Sequence, residues 1–261
     1  MISVNEKLTA IADPIRSLTK EKQPLTLDDM ANRAEQLAAT NADLEKVLYG
    51  TDFGGKSQYD EFWDAYQQNG SRTNYDYSFA RDGWTEDTFK PKYDIKPTTA
   101  SAMFYFCKIV DLRGVLKNQG VTLDLSKAID FANCFQGSRI EYIGAVDITG
   151  ATKAVTSLFQ QCYYLKEVSE LIVKETNTFS NVTFYSCESL YAIKISGIIG
   201  SSISFVSSSL LTYESLMSII NALKDYSGTT STHTLTLHAD AKARLSDTEK
   251  AIITQKGWTL A

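Results

Sequence analysis

The sequence has few residues of the types that usually carry metal or nucleophilic chemistry. Its 261 residues include four cysteines and two histidines. The two closest cysteines, Cys162 and Cys187, are 25 residues apart, which matches no zinc-site or redox spacing. The histidines, His233 and His238, stand at an odd separation along an expected strand and therefore point to opposite faces. We expect no metal site, no cofactor, and cysteines that are reduced and buried.

A basic block and a long apolar run are also missing. The net charge is −5, which gives no electrostatic reason to expect binding to nucleic acid or to an anionic membrane. No run approaches the ~18 apolar residues of a membrane-spanning helix, so we expect no membrane insertion. Residues 1–7 lack the features of a signal peptide. We find no phosphate loop, no Ser/Cys–His constellation and no carboxylate pair, and we therefore expect no catalytic residues.

The sequence does contain a repeated apolar frame between residues 101 and 211. The template is Phe-x-x-(Cys/Ser), followed by an apolar residue two or three positions later and another after three more. Its copies begin at Phe104, Phe135, Phe159, Phe184 and, weakly, Phe205. A competing register from Phe131 to Cys134 keeps the cysteine column uniform. The Phe135 register is preferred because its downstream apolar residues match the first copy. A recurrence of this length predicts stacked repeats, since one copy cannot bury its apolar residues alone.

Extended runs between the copies predict short strands. They cover residues 121–125, 146–148, 171–173 and 194–198. The first spacing between copies is the longest, and we expect its surplus residues, 116–120, to form a loop. After the repeats, the apolar pattern predicts a helix, a strand, a second helix and a final strand, over 212–226, 234–238, 240–256 and 258–260.

Two amphipathic helices are predicted near the N-terminus. In residues 3–19 the apolar steps alternate between four and three, and Pro14 either begins a second helix or kinks a single one. The helix that begins near Thr26 has a heptad pattern with Asn41 on the seam, which favours a defined oligomer. The alternative is an ordinary helix packed on its own chain. The predicted oligomerisation seam consists of Leu27, Met30, Ala34, Leu37, Asn41, Leu44 and Leu48.

An aromatic segment separates these helices from the repeats. Residues 56–69 have helical spacing, with Tyr59, Phe62, Trp63 and Tyr66 on one face. The following residues, 72–94, are rich in aromatic side chains and contain no oriented catalytic pair. Such a segment can be a carbohydrate- or peptide-binding surface. The interpretation we favour is a cap that covers the open end of the repeats.

Several stretches resemble known protein families. The frame Phe-x-x-Cys-x-x-Leu-x-x-(Ile/Val) resembles the BspA-like leucine-rich repeats over residues 101–211. The C-terminal Lys-Gly-Trp motif resembles the end of the same repeat proteins. Two N-terminal stretches, 8–16 and 25–30, are similar to phage and prophage tail proteins, although Pro14 departs from that pattern. The aromatic segment resembles a block that precedes such repeats in gut-bacterial and prophage proteins, through residues 59–70, 72–75 and 89–93.

The resemblance implies a fold and a binding surface. In BspA-like proteins stacked strands form a curved sheet, and the surface binds other macromolecules. The residues between the aliphatic positions of the repeat template would be exposed. Those expected to contact a partner are Tyr142, Lys166, Glu167 and Tyr191. The expected class is α+β, with N-terminal helices followed by a short leucine-rich-repeat β-solenoid and an α/β C-terminal cap. The expected segments are 1–52 (helical attachment), 53–100 (aromatic cap), 101–211 (repeats) and 212–261 (C-terminal cap).

The function implied is that of a non-enzymatic phage or prophage tail protein for host adhesion. Its N-terminal helices would bind other virion or tail proteins, or a second copy of the chain. Its repeats would bind a host-surface protein or glycan. It would then lie on the virion, or on an extracellular surface. The alternative is a bacterial BspA-like cell-surface adhesin without a virion role, against which the lack of a signal peptide counts.

Overall fold

The computed structural model of the protein describes residues 58–81 and 83–261. The chain divides into two compact units, residues 1–62 and 63–261. The second unit contains the repeat region and the C-terminal region. The helices predicted within residues 1–52 and the seam from Leu27 to Leu48 lie outside the described residues.

The described chain contains five helices, one 3₁₀ turn and six short strands. The helices are α1 (Gln58–Tyr66), α2 (Leu112–Gln119), α3 (Tyr213–Ala222), α4 (Ala239–Ala243) and α5 (Asp247–Gln255), and the 3₁₀ turn is Gln68–Gly70. The strands are β1 (Tyr142–Asp147), β2 (Glu167–Val173), β3 (Ala192–Gly197), β4 (Ile203–Phe205), β5 (His233–Leu237) and β6 (Trp258–Leu260).

A ladder of stacked phenylalanine rings forms the core of the repeat region. The ring centroids of Phe104 and Phe135 are 5.3 Å apart, and those of Phe135 and Phe159 are 5.4 Å apart. Phe184 and Phe205 continue the ladder at 5.3 and 4.5 Å, and all five rings are buried. The register that begins at Phe135 is therefore confirmed. Burial of each ring stabilises the fold by roughly 1.5–3 kcal/mol.

The ladder has one more ring than the sequence analysis found. Phe79 packs against Phe104 in a tilted arrangement, with a centroid distance of 5.3 Å, and is fully buried. Its backbone N–H donates to the carbonyl of Met103, as Phe104 donates to Cys134 in the next copy. Phe89 joins the same end of the core, with its ring 4.8 Å from that of Phe79. The aromatic segment therefore continues the packing of the repeats.

The predicted leucine-rich-repeat β-solenoid is wrong. The described strands form two separate three-stranded parallel sheets, ordered β1-β2-β3 and β4-β5-β6, with no continuous sheet along residues 101–211. Elsewhere in that range parallel neighbours meet only at isolated bridges. The run 121–125, expected as a strand, has a single bridge between Leu123 and Ile95. The other three expected runs overlap β1, β2 and β3, and the α+β class itself remains compatible with the structure.

The first sheet stops at three strands because a helix lies beside each outer strand. Helix α2 contacts β1, and α3 contacts β3. At the β3 edge the Ser215 hydroxyl accepts the N–H of Ile193 at 3.0 Å, and the Ser218 hydroxyl accepts the N–H of Ile195 at 2.8 Å. These hydroxyls satisfy backbone donors that a fourth strand would otherwise bind.

The loop expected over residues 116–120 is also wrong, because most of these residues belong to helix α2. Asp111 caps the helix by accepting the N–H of Gly114 at 2.8 Å. Gly120 ends it in the left-handed conformation, with φ 65°, which glycine adopts at little cost. Leu112, Val115 and Leu116 follow the i, i+3, i+4 spacing and are buried.

The C-terminal region follows the predicted order of helix, strand, helix and strand, with one difference. The long helix expected over residues 240–256 is divided into α4 and α5. Ser246 starts α5 with a reciprocal capping box, in which its hydroxyl accepts the N–H of Glu249 and that carboxylate accepts the N–H of Ser246. A cap of this kind favours a new helix start over continuation.

Candidate functional site

Three of the four predicted contact residues lie at the start of β1 and β2. Tyr142 and Glu167 are direct neighbours in the parallel register, with Ala192 next in the row. Lys166 precedes Glu167, and Tyr191 precedes Ala192. The N–H of Tyr191 donates to the carbonyl of Lys166 at 3.1 Å. The structure therefore brings all four predicted residues to one end of the first sheet.

Lys166 is held beside the Tyr142 ring. Its ammonium group bonds the Glu141 carboxylate at 2.7 Å and lies 5.7 Å from the centroid of the Tyr142 ring. The hydrogen bond with Glu141 raises the pKa of Lys166 above its ordinary value. The lysine is a fixed positive charge within cation–π distance of the tyrosine.

Arg113 completes this cluster and was not among the residues predicted from the sequence. The side chain reaches from α2 across β1, and Nη1 contacts Glu167 Oε1 at 2.6 Å and Ser169 Oγ at 3.1 Å. Its guanidinium carbon is 5.4 Å from the Tyr142 ring centroid. The arginine belongs to a helix that was expected as a loop in part, so it was not assigned to an ordered element. The signal that could have found it is the Asp111 cap and Gly120 stop that define α2.

Two open hollows lie on either side of this cluster. We call the surface formed by this cluster and the residues that line the two hollows the sheet face. One hollow, of about 330 Å³, lies between β2, β3 and α3, and its polar lining includes Glu167, Ser169, Lys194, Glu214 and Ser218. The other, of about 260 Å³, lies between α2 and β1 and is lined mainly by Leu112, Arg113, Leu116, Lys117, Gly144 and Ala145. The sheet face therefore offers apolar and charged contacts side by side.

A third ion pair lies on the sheet face at β3. Lys194 Nζ lies 2.6 Å from Glu170 Oε1, and the Ser196 hydroxyl donates to the same carboxylate. These two bonds, with the lysine contributing most, lower the pKa of Glu170 below its ordinary value. Glu170 stays ionised at neutral pH and acts as an acceptor only.

The cysteines are part of the core and not of a site. Burial raises the pKa of the Cys107 and Cys162 thiols to about 12, which removes the thiolate that nucleophilic attack and metal binding require. Cys162 donates its S–H to the Phe135 carbonyl at 3.0 Å, and Cys187 donates to the Phe159 carbonyl at 3.0 Å. All four cysteines are free and buried, as predicted. Within the part of the chain that the structure describes, no group of three His, Cys, Asp or Glu residues could hold a metal ion.

The histidines have separate local contacts. His238 follows β5 and caps α4, with Nδ1 accepting the N–H of Asp240 at 3.1 Å. His233 stacks on the Tyr226 ring at a centroid distance of 4.3 Å. The structure therefore does not bring the two imidazoles to one site.

No helix among the described residues is long and apolar enough to cross a membrane.

The chain was compared with protein families, curated proteins and solved structures. No protein-family model matches the chain, and neither a curated protein nor a solved structure matches it significantly.

Proposed function

We propose that the protein is a non-enzymatic host-adhesion component of a phage or prophage tail that binds a macromolecule of the host surface through its sheet face. The observation that carries this proposal is the cluster of Arg113, Tyr142 and Glu167 between two hollows. The tail context rests on the resemblance of the N-terminal stretches to tail proteins. Attachment to the virion, or to a second copy, would use the predicted seam from Leu27 to Leu48.

The chemistry of the sheet face suits recognition. Tyrosine and arginine are the residues that most often dominate binding energy at protein interfaces. Here Tyr142 has Arg113 and Lys166 within cation–π range, which holds the three side chains in a defined arrangement. The charges are paired within the chain, so an incoming partner exchanges ion pairs rather than burying an isolated charge. This exchange favours specificity and association rate over raw affinity.

The test is saturable binding of the labelled full chain to bacterial cells. Arg113→Glu places two carboxylates where an ion pair stood, and we expect at least about tenfold weaker binding. The matched control is Lys153→Glu, which reverses a cation at the same 2.6 Å distance from its partner, Asp130, outside the sheet face. Equal binding of the Arg113→Glu variant and the wild type would reject the sheet face as the contact.

A second measurement separates the tail protein from a bacterial surface adhesin. Antibodies against the full chain, applied to purified particles and to intact producing cells, should label particle tails. Labelling of the cell surface without any labelling of particles would favour the alternative adhesin.

A further inference from the structure

A second surface lies where the chain turns from each ladder phenylalanine toward the first sheet. We call it the bend face and define it as residues 159–165, 184–190 and 205–211. These three seven-residue segments contain one charged residue, Glu188, whereas 22% of the whole chain is charged. They consist otherwise of phenylalanine, tyrosine, serine, glutamine, cysteine and aliphatic residues. The bends of the two earlier copies differ, since they carry Lys108 and Arg139.

Large side chains project to solvent from the bend face. Tyr163, Tyr164 and Tyr185 are 46%, 51% and 48% exposed, and Val206 and Leu210 are exposed on the next bend. Isolated exposed apolar residues need no explanation, but this group lies on consecutive copies of one frame. Its concentration marks a surface for contact.

Hydrogen bonds hold neighbouring bends side by side. The N–H of Gln161 donates to the Tyr185 carbonyl at 2.7 Å, and the Ser189 hydroxyl donates to the Tyr163 carbonyl at 2.6 Å. The buried phenylalanines that begin these two bends, Phe159 and Phe184, have ring centroids 5.3 Å apart. The exposed rings are therefore carried on a rigid base.

The tyrosine hydroxyls on this face are available to a ligand. Among residues 58–81 and 83–261, no hydrogen-bond partner reaches the hydroxyls of Tyr163, Tyr164 or Tyr185. Tyrosine offers a large rigid apolar ring and one polar atom at a low cost in conformational entropy. A pyranose ring is complementary to this arrangement, because its C–H face packs on an aromatic ring and its hydroxyls bond to phenol, serine and amide groups.

The charge pattern selects the class of ligand. Segments 159–165 and 184–190, which carry the three tyrosines, contain no lysine or arginine, whereas Arg244 reaches the third segment and donates to the carbonyls of Ser209 and Leu211. Phosphates, sulfates and uronic acids need several cations for neutralisation, so the tyrosine-bearing segments do not favour nucleic acid, anionic lipid or acidic polysaccharide. We propose that the bend face binds a neutral polysaccharide through Tyr163, Tyr164 and Tyr185. The biological meaning of this site rests on the proposed function, since the polysaccharide would belong to the host surface.

The test is affinity electrophoresis of the full chain in gels that contain soluble polysaccharides. The neutral probes are polymers of glucose, mannose, galactose and N-acetylglucosamine, and the anionic probes are polymers of uronic and sialic acids. We expect at least one neutral probe to retard the wild type and no anionic probe to do so. Tyr164→Ala/Tyr185→Ala should bind the neutral probe at least tenfold more weakly. The matched control is Tyr77→Ala, which removes a tyrosine 63% exposed outside the bend face.

Several results would overturn this proposal. They are retardation by no neutral probe, retardation by anionic probes alone, or equal retardation of the wild type and the double alanine variant. A wild-type dimer that the double variant converts to a monomer, without polysaccharide binding, would assign the face to self-association. If the alanine variant does not fold, Tyr164→Phe/Tyr185→Phe keeps both rings and should still weaken binding severalfold.

The outcome also separates this proposal from the proposed function. Wild-type protein that adheres to cells but binds no neutral polysaccharide would reject the bend-face site and keep the adhesion function. Protein that binds a neutral polysaccharide but no bacterial cell would reject the adhesion function and keep the site.

Discussion

The sheet face and the bend face are built on the same repeated frame but differ in chemistry. On the sheet face Arg113, Lys166 and Lys194 each bond to a carboxylate. On the bend face the exposed side chains include tyrosines whose hydroxyls have no partner among the described residues, and Glu188 is the one charged residue within its three segments. The comparison shows that the frame fixes which positions are buried, whereas the residues between them are free to form surfaces of different specificity.

The most disruptive change removes a ring that supports both surfaces. Phe159→Ala deletes a buried ring stacked between Phe135 and Phe184, and we expect a loss of about 3–5 kcal/mol in the free energy of unfolding. Urea unfolding measures this loss, and both binding activities should decline together. Phe106→Ala, at an exposed ring of the first copy, is the control and should cost far less. Similar losses for the two variants would contradict the ladder as the shared support.

A smaller change affects the sheet face alone. Ser215→Ala/Ser218→Ala leaves the N–H groups of Ile193 and Ile195 without their acceptors, and Ser215 and Ile193 are buried. We expect a loss of about 1–3 kcal/mol in unfolding free energy, because unsatisfied buried donors retain their desolvation cost. Hydrogen exchange should accelerate at β3, while polysaccharide binding by the bend face stays unchanged. Unchanged exchange at β3 would show that the serines do not close this edge.

Ionic strength distinguishes binding at the two faces without any substitution. Raising ionic strength from about 50 mM to about 500 mM screens exposed charges, so cell binding through the sheet face should weaken several-fold. Neutral polysaccharide binding at the bend face should change by less than about twofold, since a neutral ligand forms no ion pair that salt could screen. Titrations at both salt concentrations measure each effect. Equal salt sensitivity of the two activities would remove the distinction between the faces.

The smallest expected effect is a pH dependence confined to the sheet face. Lys194 and Ser196 hold the pKa of Glu170 below its ordinary value of 4.5. The folded state thus favours the ionised form, and the resulting stability is present above pH 4.5 and is lost as pH falls through the lowered pKa. Exposure limits this contribution to under about 1 kcal/mol. The unfolding free energies of the wild type and Glu170→Gln should therefore converge on acidification. A difference that grows toward low pH would have the wrong sign.

The sequence predicted the interior of the repeat region better than its sheets. The Phe-x-x-(Cys/Ser) spacing was sufficient to identify the buried ring at Phe135 and the buried thiol at Cys162, because burial recurs with the frame. It did not predict where strands pair. The run 121–125 alternates like a strand, but only Leu123 forms a bridge. Pairing depends on backbone neighbours that are distant in sequence, and local periodicity does not reveal them.

The candidate sites were predictable to different extents. Tyr142, Lys166, Glu167 and Tyr191 were expected to be exposed because they lie between aliphatic template positions. The structure brings them to one end of the sheet, where Tyr191 is exposed and the other three are half-buried. Arg113 was not predicted, because it acts across β1 from a helix that the repeat pattern concealed. The bend face was also missed as a surface. Its signal, three consecutive copies with a single charge, was present in the sequence but becomes meaningful only when the bends are known to be adjacent.

The account is tested most directly by saturable binding of four full-length proteins to host bacterial cells. They are the wild type, Arg113→Glu, Tyr164→Ala/Tyr185→Ala, and the combined variant. If both faces contact the host surface independently, each variant weakens binding and the free-energy losses add in the combined protein. The account predicts this result, with wild-type binding that saturates. Equal binding by all four proteins, or no saturable binding by the wild type, would contradict it.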